Sequence, residues 1–145
     1  MNLKFASIAG FVVAVLVLII LIMRESILAV GIIASLVQVF AVFLMLWARV
    51  TFGRRSFHAS ADPTEGGLIT SGPYRYLRHP IYASILYFVW AGILSHVALL
   101  NVLLGFIVTI GLFVRIFAEE RLVIEQYPDY VEYAVRTKRI IPYVL

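Results

Sequence analysis

Charged and aromatic side chains crowd residues 74–82, which read Tyr-Arg-Tyr-Leu-Arg-His-Pro-Ile-Tyr and lead directly into an apolar stretch. The segment contains two arginines, Arg75 and Arg78, and one histidine, His79. Ionisable groups at the edge of a membrane segment are costly to place there, and they commonly mark a functional site. This pattern indicates a binding site for a charged small molecule.

A second charged group lies at the end of a later apolar stretch. Arg115 and Glu119 are four residues apart, so on a helix they share one face, and Glu120 follows directly. An isolated pair of this kind is usually a structural ion pair at a helix exit. With Arg78 and His79 at the same membrane boundary, however, several charges converge, and burying them is tolerable only if they pair or bind a charged ligand.

S-adenosylmethionine is one ligand that suits these side chains. Arginine or backbone amides would hold its carboxylate, and a glutamate would bind its ribose hydroxyls or its ammonium group. Tyr74, Tyr76 and Tyr82 could stack on the adenine or face the sulfonium by cation–π contact. A nucleotide or a lipid headgroup would fit the same residue types, so the composition leaves these alternatives open.

The composition predicts a membrane protein. Of the 145 residues 63% are hydrophobic, against about 45–50% in soluble domains, and the mean hydropathy is +1.00. The chain has no cysteine, which excludes a disulfide framework, a thiolate metal site and a cysteine nucleophile. Its three histidines show no i,i+4 pair, so no metal site is predicted. No nucleic-acid partner is expected.

Four apolar segments predict four transmembrane helices, approximately Phe5–Met23, Ile27–Trp47, 81–94 and 98–118. The turn between the first two, Arg24-Glu25-Ser26, is short, so these helices are expected to form an antiparallel hairpin. The third apolar region is too long for one span and is broken near residues 95–101. The fold class is therefore all-α integral membrane, with both termini on one side.

The basic residues predict the orientation. Under this topology eleven of the twelve lysines and arginines lie on one side and only Arg24 lies opposite, which indicates that the termini and the site are cytoplasmic. The lack of a recognisable targeting signal suggests a prokaryotic inner membrane. The loop 48–80 and the tail 119–145 then share one side and can meet. The chain is expected to be a single domain, 1–145.

The tail is predicted to continue the fourth helix through about residue 125 and then to form a short helix. Pro128 suits the first turn of that helix, which runs to about Lys138. The cytoplasmic loop and this C-terminal helix would form the ligand pocket. Residues 1–47 would be the N-terminal transmembrane hairpin and 48–145 the catalytic core.

Three motifs resemble the isoprenylcysteine carboxyl methyltransferase family. Residues 72–82 are similar to its G-x-Y-x-x-x-R-H-P-x-Y segment, and Glu119-Glu120 is similar to its paired glutamates. The tail 127–142 resembles its closing Y-x-x-Y…R-x-I-P pattern. Phospholipid methyltransferases share the same C-terminal core.

The resemblance implies an integral-membrane methyltransferase that uses S-adenosylmethionine. Its acceptor would be lipophilic or a small carboxylate or thiol, and membrane lipids are expected partners. Arg115 matches a substrate-facing arginine and Arg78 an electrostatic partner of the substrate, which makes these two the catalytic candidates. Glu119 matches a cofactor-binding glutamate. The predicted cofactor contacts are Leu68, Ile69, Tyr74, His79, Pro80, Ile81, Tyr82, Glu119 and Glu120.

Two alternatives come from different classes of protein. Sterol reductases of the same superfamily use NADPH and carry a related R-H/K-x-N-Y segment, but here Pro80 follows His79 and no asparagine precedes Tyr82. A non-catalytic lipid-binding module is the second alternative. In that case Arg115 and Glu119 would be a structural pair and the tyrosines an interfacial belt.

Overall fold

The computed structural model describes residues 3–53 and 67–144. The described residues form five α-helices, one short 3-10 helix over Gly72–Arg75, and one isolated parallel bridge between Leu77 and Lys138. The α-helices are α1 Leu3–Met23, α2 Ile32–Phe52, α3 Pro80–Ser95, α4 Leu99–Gln126 and α5 Tyr130–Arg136.

The helices form an all-α membrane protein. Three of them, α1, α2 and α4, are long and apolar enough to cross a membrane, and α3 is a shorter apolar helix of 16 residues. The 28 residues of α4 extend about 42 Å at 1.5 Å per residue, which exceeds the roughly 30 Å of a bilayer's hydrocarbon core. The last turns of α4 therefore reach beyond the hydrocarbon, as the sequence predicts.

From α1 to α4 the helices alternate in direction, and the packing pairs α1 with α4 and α2 with α3. Helices α1 and α2 are therefore not the closely packed hairpin that was expected. The first pair is closest at Gly10 and Gly111, where a Cβ atom built on Gly10 would lie 2.5 Å from the Gly111 carbonyl oxygen. A buried core joins both pairs, from Leu21 of α1 and Leu44 of α2 to Ile116 of α4. The end of the bundle that holds the start of α1 and the end of α4 is called the near end below.

The opposite end, called the far end, closes through side-chain contacts. Arg24 donates through Nε to the Asn101 side-chain oxygen at 2.9 Å, and Asn101 donates through Nδ2 to the His96 carbonyl at 2.7 Å. The break between α3 and α4 falls here, where it was predicted.

The second helix begins at Ile32, five residues later than the predicted start at Ile27. The segment before α2 packs directly against Gly92 of α3. A Cβ atom built on Gly92 would lie 2.3 Å from the Ile27 carbonyl oxygen, so a larger residue would not fit there. The buried Gln38 side chain supports this non-helical segment by donating to the Ile27 and Phe88 carbonyls at 2.7 and 3.0 Å and accepting from the Ala29 amide at 2.9 Å. Non-helical backbone within a membrane needs such internal partners. The connection from α1 is consequently longer than the predicted three-residue turn.

Candidate functional site

The residues before α3 fold into a compact turn at the near end. Gly72 has a positive φ of 57°, and a Cβ there would lie 2.5 Å from the Thr51 hydroxyl oxygen at the end of α2, so this position requires glycine. The 3-10 helix Gly72–Arg75 follows, and His79 is the N-cap residue of α3, with Pro80 in its first turn. Pro80 suits that place because its missing amide would have had no helical partner.

One part of the site is a triad formed by the buried Arg115 and the half-buried Tyr82 and Glu119. Arg115 Nε donates to the Tyr82 hydroxyl at 2.6 Å and lies 3.0 Å from Glu119 Oε1. The Tyr82 hydroxyl in turn donates to Glu119 Oε1 at 2.5 Å. The Arg115 guanidinium also lies over the rings of Phe11 and Tyr82, 5.2 and 5.7 Å from their centroids. Arg115 is only 3% exposed, so its charge is compensated by this triad.

A second part surrounds the carboxylate of Glu120. Arg139 donates to Oε2 through Nε at 3.0 Å and through Nη2 at 2.9 Å. On Oε1, His79 Nε2 and Arg78 Nε each lie at 3.3 Å, and the Tyr130 hydroxyl donates at 3.4 Å. The contact with Arg78 is an ion pair without hydrogen-bond geometry. Glu120 thus connects α4, the turn before α3 and the tail.

His79 links the two parts. Its Nδ1 lies 3.9 Å from Glu119 Oε2 while its Nε2 faces Glu120, and its ring stacks on Tyr82 with centroids 5.7 Å apart. The side chain of Glu119 is 19% exposed and that of Glu120 only 8%. Glu119 is therefore the carboxylate that a ligand reaches more easily.

The tail binds the turn through its backbone as well. The amides of Arg78 and His79 donate to the carbonyls of Lys138 and Arg139 at 2.7 and 3.1 Å, and the Lys138 amide donates to the Tyr76 carbonyl at 3.2 Å. These bonds make the parallel bridge. The sequence predicted that two separate segments would meet at this end, and the described residues confirm that contact.

Buried tyrosines reinforce the contact between tail and turn. The Tyr133 hydroxyl donates to the Tyr74 carbonyl at 2.6 Å, and burial raises the pKa of Tyr133 to about 12. Burial likewise raises the pKa of Tyr74, and burial together with the nearby Glu120 charge raises the pKa of Tyr130. These phenols therefore stay protonated at neutral pH, and those of Tyr130 and Tyr133 donate hydrogen bonds.

The other predicted site residues take several positions. Leu68 and Ile69 are half-buried in an extended segment before the turn, Pro80 is buried, and Ile81 is half-buried in the first turn of α3. Residues 54–66 of the predicted cytoplasmic loop lie outside the described residues.

Two residues that contact Glu120, Arg139 and Tyr130, were not predicted as site residues. The signal for Arg139 was its place in the R-x-I-P pattern of the tail. Spacing could not reveal its partner, because Glu120 lies nineteen residues away on α4. Within residues 3–53 and 67–144, no group of three metal-ligating side chains could hold a metal ion.

The profile of the phospholipid methyltransferase family matches residues 26–130, well over half of the chain. The chain belongs to this family. Among curated proteins and solved structures, none matches the chain at a significant level. The family match extends from the segment before α2 to the start of α5, so it includes the turn, His79 and both glutamates. Helix α1 and most of the tail lie outside it.

Membership in the phospholipid methyltransferase family makes the chain an integral-membrane protein of the methyltransferase kind. At the near end one arginine pairs with Glu119 and two arginines pair with Glu120, and His79 lies between the two glutamates. Such a site can hold a ligand that carries both signs of charge, next to hydrocarbon.

Proposed function

We propose that this protein is a methyltransferase that binds S-adenosylmethionine at the near end and transfers its methyl group to a lipophilic acceptor. The observation that carries this proposal is the triad of the buried Arg115 with Tyr82 and Glu119, in contact with His79. A membrane protein that only binds lipid passively has little use for a buried arginine with this many partners, since buried charge is costly.

Charge and exposure support a particular division of roles. Glu119, the more exposed carboxylate, would hold the ribose hydroxyls or the ammonium group of the cofactor. Tyr74, His79, Pro80, Ile81 and Tyr82 would contact the rest of the cofactor, together with Leu68 and Ile69 on the preceding segment. We propose that Glu120 acts indirectly, since its two oxygens contact Arg139, His79, Arg78 and Tyr130.

Methyl transfer needs little from the protein beyond alignment. When bound, the cofactor would supply an electrophilic methyl group with a neutral thioether as the leaving group, and the protein would hold the acceptor in line with the carbon–sulfur bond. A carboxylate or a thiolate is already nucleophilic when ionised, so a strong general base is not required. Proximity and orientation then supply most of the rate enhancement. Arg115 would hold an anionic acceptor, assisted by Arg78.

The site geometry suits an acceptor from the membrane. Arg115 lies sixteen residues into α4, about 24 Å from the start of the helix, and exposed apolar side chains such as Val114 and Phe117 flank it. A lipophilic carboxylate or thiol would therefore reach the site sideways from the bilayer. The concentration of basic residues at the near end supports a cytoplasmic site, where the cofactor is available. The membrane proposed for the protein is a prokaryotic inner membrane.

Isothermal calorimetry of the purified protein with S-adenosylhomocysteine tests this proposal. We expect saturable binding, and we expect Glu119→Ala and His79→Ala to weaken it while leaving the helical circular dichroism unchanged. Glu132→Ala is a matched control, because Glu132 is an exposed glutamate that pairs with Arg136 on α5.

NADPH is the comparison ligand in the same experiment. Binding of NADPH in place of S-adenosylhomocysteine would favour the reductase alternative. Binding of neither ligand would favour a non-catalytic lipid-binding module.

A further inference from the structure

Helix α1 lies outside the family match, yet it contacts the candidate site. The Phe11 ring of α1 lies beneath the Arg115 guanidinium, 5.2 Å from its centroid. Ser7 precedes Phe11 by four residues, so the two side chains are neighbours on one face of α1. The face of α1 that carries Ser7 is therefore turned toward the surroundings of Arg115.

Ser7 differs from the other hydroxyl residues of the transmembrane helices. It is fully buried, and its hydroxyl has no hydrogen-bond partner among the described residues. Thr51 and Thr109 instead bond back to a carbonyl one turn earlier, Thr51 to Trp47 at 2.9 Å and Thr109 to Gly105 at 2.7 Å, and Ser35 bonds to the Ala29 carbonyl before α2. Buried polar groups are nearly always paired, so an exception requires an explanation.

The depth of Ser7 in the bundle matches that of Arg115. Gly10 and Gly111 face each other where the antiparallel helices α1 and α4 cross. From that crossing, three residues bring α1 about 4.5 Å toward the near end at Ser7, and four residues bring α4 about 6 Å the same way at Arg115. The unpaired hydroxyl and the buried guanidinium thus lie at nearly the same level.

We propose that Ser7 belongs to the acceptor-binding part of the site, where its hydroxyl donates a hydrogen bond to the polar group of the methyl acceptor beside Arg115. This inference rests on the proposed methyltransferase function and extends it to α1. A neutral hydroxyl suits this task because it orients an oxygen or sulfur acceptor while withdrawing less of its electron density than a second arginine. The acceptor class that fits is a long-chain amphiphile whose carboxylate or thiolate lies at the hydrocarbon boundary.

The chain contains no cysteine, so the Ser7→Cys variant carries a single thiol. If the acceptor reaches this position, N-ethylmaleimide in detergent should label the Ser7→Cys protein at least about tenfold faster than the Ala14→Cys protein. Ala14 is the matched control, because it is buried on the same helix at 4% exposure, two turns deeper. Equal labelling rates for the two variants would overturn the proposal.

Ligands that slow the labelling of the Ser7→Cys thiol identify the class of molecule that binds beside it. Palmitate, a single-chain carboxylate, should slow labelling of the Ser7→Cys protein several-fold, and a lack of protection by palmitate would overturn the proposed ligand class. Ser7→Ala should keep or raise the melting temperature, because it removes an unpaired hydroxyl, whereas a lower melting temperature would show that the hydroxyl has a partner within the protein and would overturn the assignment. Calorimetry of the wild type with S-adenosylhomocysteine reports separately on the proposed function.

Discussion

The substitution Glu120→Gln should release the tail from the rest of the site. It keeps the shape of the side chain but removes the negative charge that faces Arg139, Arg78 and His79. Removing one partner of a buried ion pair typically costs about 3–5 kcal/mol. The lower value applies here, because the Arg139 side chain is 31% exposed. A loss of about 3 kcal/mol corresponds to a roughly 150-fold larger population of the opened tail.

Hydrogen exchange measured by mass spectrometry reads this opening directly. The amides of Arg78 and His79 are protected by the carbonyls of Lys138 and Arg139, so they exchange only when the tail detaches. We expect these two amides to exchange about a hundred times faster in Glu120→Gln, while amides in the core of α4 keep their protection.

The matched control is Glu132→Gln on α5. Like Glu120, Glu132 pairs with an arginine. That partner is Arg136, four residues away, and both side chains are more than 70% exposed. An exposed pair contributes about 0.2–1 kcal/mol, which limits the acceleration to roughly fivefold. Similar exchange in the two variants would refute the argument that Glu120 fastens the tail.

Three further predictions follow from single contacts. Arg115→Ala should preserve the affinity for S-adenosylhomocysteine in calorimetry but lower the turnover of any identified acceptor, and normal turnover would remove Arg115 from the acceptor site. The pKa of Tyr133 is raised from 10.0 to about 12, so its hydrogen bond to the Tyr74 carbonyl should persist below pH 10 and be lost as the pH rises through about 12. Amide hydrogen exchange in the turn and the tail should therefore depend less on pH across that range in Tyr133→Phe than in the wild type. Gly10→Ala should lower the melting temperature more than Gly111→Ala, because the new Cβ would lie 2.5 Å rather than 3.1 Å from a backbone oxygen; the reverse order would contradict the observed crossing.

Local spacing in the sequence predicts much of this structure. The interruption at residues 95–101 separates α3 from α4, and the i,i+4 spacing places Arg115 and Glu119 on one face. The topology places the loop and the tail on the same side of the membrane, which predicts that they can contact each other. These features depend on neighbouring residues or on membrane topology, which hydropathy and charge encode directly.

The remaining features depend on contacts between residues that are distant in the sequence. Nothing near Arg139 indicates that it pairs with Glu120, and nothing near Gln38 indicates that it supports the backbone at Ile27 and Phe88. Tyr82 was predicted as a cofactor contact, but its hydroxyl also joins Arg115 to Glu119. The start of α2 was predicted too early because residues 27–31 are apolar enough for a helix, although Gln38 of α2 and Ser95 of α3 bond to their backbone.

A crystal structure of the protein with bound S-adenosylhomocysteine tests the central claim most directly. We expect electron density for the ligand between the start of α3 and the end of α4, with a carboxylate oxygen of Glu119 within hydrogen-bond distance of the ribose or the amino group of the ligand. Electron density for the ligand at another place, without contact to the triad of Arg115, Tyr82 and Glu119, would contradict the proposed binding site.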